Sequence, residues 1–203
     1  MNSRSSLWTP HSRAATAQPG FSLIELLVVV GIFTMVSMLT IASNATFGEH
    51  VKLETLAYDI ALSVRQSQVY GIAVRRFGLS GTDFSRGYGM HFNVSTPLSA
   101  TSYELFADTL TGNGIYDLGE LVEATTIQGG YRIIDLCVRP HNVTTEDCTI
   151  TDLNVLFKRP EPDAYIRGPN PAPTYELGRI VIESPRGERA DVVVELSGQI
   201  SVQ

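Results

Sequence analysis

The sequence predicts an α+β protein: a long N-terminal helix, membrane-spanning in its first half, packed on an antiparallel β-sheet or sandwich domain. Three observations carry this expectation. Leu26 to Gly48 contains no charged residue, the apolar residues that follow recur at helical spacing, and the chain beyond Phe77 alternates in short segments cut by turn residues. A chain of 203 residues holds one globular domain with a core plus an appendage, but scarcely two independent domains.

Residues 1–20 contain Arg4 and Arg13 and no acid, with Ser, Thr, Pro and Gln between them, so they cannot form a packed unit and read as a leader. The apolar run from Phe21 to about Ala45 is long enough to cross a hydrocarbon core of about 30 Å. Basic residues lie before it and none for a long stretch after it, which puts the leader in the cytoplasm and the C-terminal domain outside. A secretory signal cleaved near Ser43-Asn44-Ala45 is the alternative. Two features oppose it. The run exceeds the usual apolar region of about 7–15 residues, and Glu25 stands inside it, where a carboxylate costs about 2.5–3.5 kcal/mol at the bilayer centre. A plain signal has no use for that charge.

Segment 21–48 is thus the membrane helix, and 49–76 is its amphipathic continuation, with Leu53, Leu56, Ala57, Ile60 and Val64 on one face. No proline occurs between Pro19 and Pro97, so the helix is expected to run to near Val74, about 80 Å at 1.5 Å per residue, with Gly31, Gly48 and Gly71 as its weak points. Residues 77–203 form the β domain. Strands are expected at Tyr88–Val94, Ser102–Ala107, Leu121–Ile127, Tyr131–Val138, Leu153–Lys158, Leu177–Glu183 and Ala190–Leu196. The proline-rich stretch Pro160–Pro173 reads as a surface loop.

Cys137 and Cys148 are the only cysteines, too few soft ligands for a structural zinc site, and outside the cytoplasm they fit one disulfide. Asp108, Asn113, Asp117 and Glu120 are spaced like a degenerate calcium loop, but Leu110 stands where a third oxygen ligand is needed. The favoured reading there is a hairpin whose Asn113-Gly114 turn joins Phe106 to Tyr116. His11, His50, His91 and His141 are scattered, and no Ser or Cys has a base and an orienter placed beside it. No enzyme is therefore expected. A net charge of −6 and a pI near 5.2 oppose a domain whose main work is coating nucleic acid.

Pro19-Gly20-Phe21-Ser22-Leu23-Ile24-Glu25-Leu26 resembles the cleavage and methylation motif of type IV pilins and type II secretion pseudopilins. The resemblance implies cutting after Gly20 by a prepilin peptidase, N-methylation of Phe21, and pairing of Glu25 with the Phe21 amine of a neighbouring subunit. It implies other pilins or pseudopilins and an inner-membrane assembly platform as partners, and location first in the bacterial inner membrane, then in a filament. The segment Leu56 to Val74 and the ending Gly178 to Ile182 with Val192 to Ile200 resemble FimT-like minor pilins and the H-type minor pseudopilin. That points to a minor subunit, the alternatives being a pseudopilin that contacts secreted cargo and a DNA-binding pilin of a competence pilus. For DNA the candidates are Arg179, Arg186 and Arg189. Glu183, Glu188, Asp191 and Glu195 surround them, so DNA is expected to bind weakly at best.

Overall fold

A computed structural model describes residues 20–73, 87–109, 112–170 and 174–203, with the side chains of 42–47 left out. The leader, apart from Gly20, and the end of the helix beyond Ala73 lie outside these residues. The chain forms two compact units divided after Ala45. Helix α1 is assigned to Leu23–Ile72. In the first unit its side chains from Leu23 to Ile41 are exposed, apart from half-buried Ser37.

The second unit joins the later half of α1 to strands β1 (Gly87–Asn93), β2 (Ser102–Asp108), β3 (Leu121–Thr126), β4 (Arg132–Arg139), β5 (Asp147–Ile150), β6 (Asp152–Phe157), β7 (Ala164–Arg167), β8 (Leu177–Glu183), β9 (Arg189–Glu195) and β10 (Ile200–Val202). They make two five-stranded sheets, β3-β2-β1-β6-β7 and β10-β9-β8-β4-β5. The pairings are antiparallel. This is the expected α+β architecture.

The period-two and helical patterns explain how the layers meet. Leu53, Ala57, Ile60 and Val64 of α1 are buried in one cluster with Met90, Phe92, Val155 and Phe157 of the first sheet and Ile133, Leu136, Ile180, Ile182, Val192 and Val194 of the second. Between the core residues of β1 and β6, His91 and Asn154 are paired in register and hydrogen-bonded to each other on the opposite face. Each large apolar side chain removed from water contributes about 1.5–3 kcal/mol, so this shared core fixes the helix half on the two sheets.

Gly71 is not a weak point. A Cβ there would fall on the carbonyl oxygen of Phe157, so glycine lets the helix backbone approach β6. Two further readings change. The proline-rich stretch contains β7, which pairs with β6 from Asn154↔Arg167 to Phe157↔Ala164; its prolines flank the strand rather than occupy it. The Asn113-Gly114 segment does not close a hairpin between Phe106 and Tyr116. Strands β2 and β3 end at Asp108 and begin at Leu121, and Tyr116 packs its ring against His91 and Phe106 at centroid distances of 4.9 and 5.8 Å. The structure adds the short strands β5 and β10 to those expected from the sequence.

Cys137 of β4 and Cys148 of β5 form the expected disulfide, which ties an edge strand to its neighbour across the Leu136↔Ile150 and Val138↔Asp147 pairs.

Candidate functional site

Gly20 and Phe21 are exposed immediately before α1. The helix starts here because Ser22 caps it: the Glu25 amide donates to Ser22 Oγ at 3.2 Å, and the Leu26 amide donates to the Ser22 carbonyl at 3.1 Å. Ser22 and Glu25 have the Ser-x-x-Glu spacing of a capping box, a pattern legible in the sequence, and the bond to Ser22 Oγ is its Ser22 half. An acidic residue in the first helical turn also faces the positive end of the helix dipole. Glu25 therefore has a local role beside any intermolecular one.

Leu23–Ile41 is 19 residues long with a mean hydropathy of 2.3 and nothing in its window buried. At 1.5 Å per residue that is roughly 28 Å, close to the hydrocarbon thickness. Glu25 is the only charge within it. A helix with no apolar core to face, and apolar on every side, needs lipid or other helices as its surroundings.

The calcium-like residues make a self-bracing loop. Glu120, fully buried, accepts the amides of Thr109 and Asp117 on its two oxygens at 2.7 and 3.1 Å. Asp108 accepts the Gly114 amide at 2.9 Å, and Asn113 donates to Asp117 at 3.2 Å. Among the described residues no group of three or more acidic, His or Cys side chains is gathered as a cation site. The carboxylates serve the backbone instead. His91 Nδ1 lies 2.9 Å from Asn154 Oδ1, and Asn154 also accepts the Tyr116 amide at 3.1 Å, which fastens this loop to the sheet.

Each of the three candidate DNA arginines is ion-paired. Arg179 donates through Nε and Nη2 to the two oxygens of Glu146 at 2.8 and 2.9 Å, and through Nη1 to Asp191 at 2.9 Å. Arg186 lies 3.2 Å from Glu49, and Arg189 3.3 Å from Glu183, which also holds Arg132 at 3.1 Å. The hydrogen bond from Arg179 holds the Glu146 carboxyl below its usual value, and the same bond pushes the Arg179 guanidinium up. A carboxyl with a depressed folded-state pKa stabilises above its unfolded pKa, and that stability is lost as pH falls through the folded value. The thermal midpoint should therefore decline as the pH is taken from 6 to below about 4, the region of unperturbed glutamate titration. Arg179→Ala should lower the midpoint at pH 6 and flatten the decline; an unchanged acid slope in this variant would show that the pair contributes nothing.

The model of the prokaryotic N-terminal methylation motif matches residues 16–41. No curated protein and no solved structure matches the chain. The matched segment contains Gly20, Phe21, the Ser22 cap, Glu25 and the whole exposed apolar span. The chain thus carries the N-terminal segment of a type IV pilin-like precursor, at the head of a long helix with an antiparallel β domain behind it.

Proposed function

We propose that the protein is a minor pilin or pseudopilin, a structural subunit that works by assembly rather than catalysis. After cleavage behind Gly20 and methylation of Phe21 it is anchored in the inner membrane by Leu23–Ile41. Residues 46–203 lie outside the cytoplasm and are displayed on a filament.

One observation carries this reading. A single carboxylate, Glu25, sits five residues past Gly20, inside the matched motif, in a span that is otherwise uncharged and has no buried residue. Capping the helix does not require a charge, since Ser22 already accepts the Glu25 amide. A cationic neighbour in a medium of low dielectric gives the charge a purpose, and the amine at Phe21 of another subunit meets that need. The ion-paired state of Arg179, Arg186 and Arg189 favours a structural role for them over phosphate binding.

The test is Glu25→Leu in the full chain. It should still be cut and should insert at least as well, since the insertion cost is removed, yet its amount in sheared filaments should fall by tenfold or more, about 1.4 kcal/mol or greater. Incorporation equal to the parent would sink the charge-pairing account.

A further inference from the structure

Of the four edge strands in the two sheets, β3 is the longest and the least covered. It has β2 as its one neighbour among the described strands, and four of its six residues are exposed. The other edges are blunted. Strand β5 has four residues and β10 three. Strand β7 also has four, and its outer side is taken: the Tyr175 amide donates to the Ile166 carbonyl at 3.0 Å, and the Ala164 amide to the Leu196 carbonyl at 2.9 Å. The register of β3 on β2 shifts near Leu121 but is regular from Leu105↔Glu123 to Ser102↔Thr126. Beyond it the Ile127 amide donates to the Thr101 carbonyl at 2.7 Å, which sets the alternation. Glu123 and Thr125 therefore bond to β2, and Ala124 and Thr126 turn their N–H and C=O groups outward. No Lys, Pro or Gly stands in this segment to discourage a further strand.

Charge decides the occupant. Glu123 and Thr125 line a small gap beside Ser63 and Gln66, so the edge runs along a flank of α1. Past Ile127 the chain borders a cleft of about 470 Å³ whose walls include Lys52, Leu56, Asp59, Gln128 and Tyr131. Neither Glu123 nor Asp59 has an ion-pair or side-chain hydrogen-bond partner among the described residues. On the other face of the sheet Glu104, opposite Ala124 in register, has only the Ser102 hydroxyl at 3.4 Å. Lys52, the cation in the cleft wall, is seven residues from Asp59, about 10 Å along the helix. A cationic strand laid on β3 would thus meet carboxylates on both faces, partly shielded by the helix on one of them. A second copy cannot supply this, because its own Leu121–Thr126 contains no cation.

We infer that the free edge of β3 receives an extended, lysine- or arginine-bearing segment of a partner protein as a further strand, with main-chain bonds to Ala124 and Thr126 and side chains reaching the adjoining cleft. This goes beyond the assembly role, since it concerns the β domain alone and depends neither on cleavage nor on packing between helices.

The test uses the full chain in neutral detergent, a peptide of alternating valine and lysine as probe, and residue-resolved amide exchange. The peptide should slow exchange at Ala124 and Thr126 about tenfold or more, and leave Glu123 and Thr125, already bonded to β2, unchanged. A valine–glutamate peptide of equal length, or the valine–lysine peptide N-methylated along its backbone, should protect neither. Glu123→Lys should weaken the valine–lysine peptide about tenfold. Ala124→Pro removes one outward amide that carries no ladder bond, so it should abolish protection at Thr126 at an unchanged thermal midpoint; if it melts lower, Glu123→Lys carries the test. No protection at Ala124 and Thr126, equal protection by the glutamate peptide, or undiminished binding to Glu123→Lys would each overturn the inference. So would protection of the same amides that appears without peptide and grows with protein concentration, which would assign the edge to a second copy.

Discussion

Gly20→Val is expected to leave the chain wholly uncut, with the leader attached and no Phe21 amine, while the folded domain is untouched. The reason is that nothing among the described residues needs a glycine at this position: a Cβ on Gly20 would meet none of their atoms within 4 Å, and the residue does not adopt the left-handed conformation that favours glycine. Under the proposed maturation the demand for a missing side chain comes from outside the fold, from a peptidase that must thread an extended, unhindered backbone through its site. A β-branched residue narrows that backbone's freedom and adds bulk beside the scissile bond. The measurement is the precursor-to-mature mobility shift on a gel, with mass spectrometry of the N-terminal peptide, alongside the thermal midpoint of the same preparations. A mature band at parental intensity would overturn the assignment of the cleavage site. Loss of the band together with a lowered midpoint would show that Gly20 matters to the fold instead.

The helix was legible because its two halves obey different rules that both show in one dimension: a run without charge, then apolar residues three and four apart. Leu53, Ala57, Ile60 and Val64 are buried as that spacing requires. Most strands were legible for the same reason. What spacing cannot show is pairing between distant residues. Arg179 and Glu146 are 33 positions apart, so the neutralisation of a candidate DNA ligand appears only when β8 lies beside β4. Strand β7 was hidden by the prolines around it, which mark where a donor is missing but not which residues between them pair. The acidic loop shows a different limit of spacing. Oxygen side chains at cation-like intervals also suit a loop that must satisfy its own amides, and Glu120 does that for Thr109 and Asp117.

Gly198→Ala should be among the most destabilising single-methyl additions in the β domain. Gly198 lies in the turn between β9 and β10 with φ of +80°, and its amide donates to the Glu195 carbonyl at 2.8 Å. Two separate penalties meet there. An alanine in the left-handed region costs about 1–2 kcal/mol. Its methyl would also fall on the Pro162 carbonyl oxygen and within 2.7 Å of the Gln68 amide nitrogen. That nitrogen is the junction of three segments distant in sequence: from α1 it donates to the Pro162 carbonyl at 3.0 Å and to the Gly198 carbonyl at 3.2 Å. Neither backbone can yield without loosening the other's hydrogen bond, so a further cost of about 1–3 kcal/mol for overpacking is expected. The sum, about 2–5 kcal/mol, is a large share of a typical domain stability of about 5–15 kcal/mol. It corresponds to a fall in the thermal midpoint of roughly 5–15 °C for a domain of this size. Gly187→Ala separates the two penalties. Gly187, in the turn between β8 and β9, has φ of +86° but open space where a Cβ would stand. It should show only the backbone share, about 1–2 kcal/mol. If detergent-solubilised Gly198→Ala melts no lower than Gly187→Ala, the three-way junction at Gln68 tolerates a methyl, and only the turn's handedness requires glycine at 198.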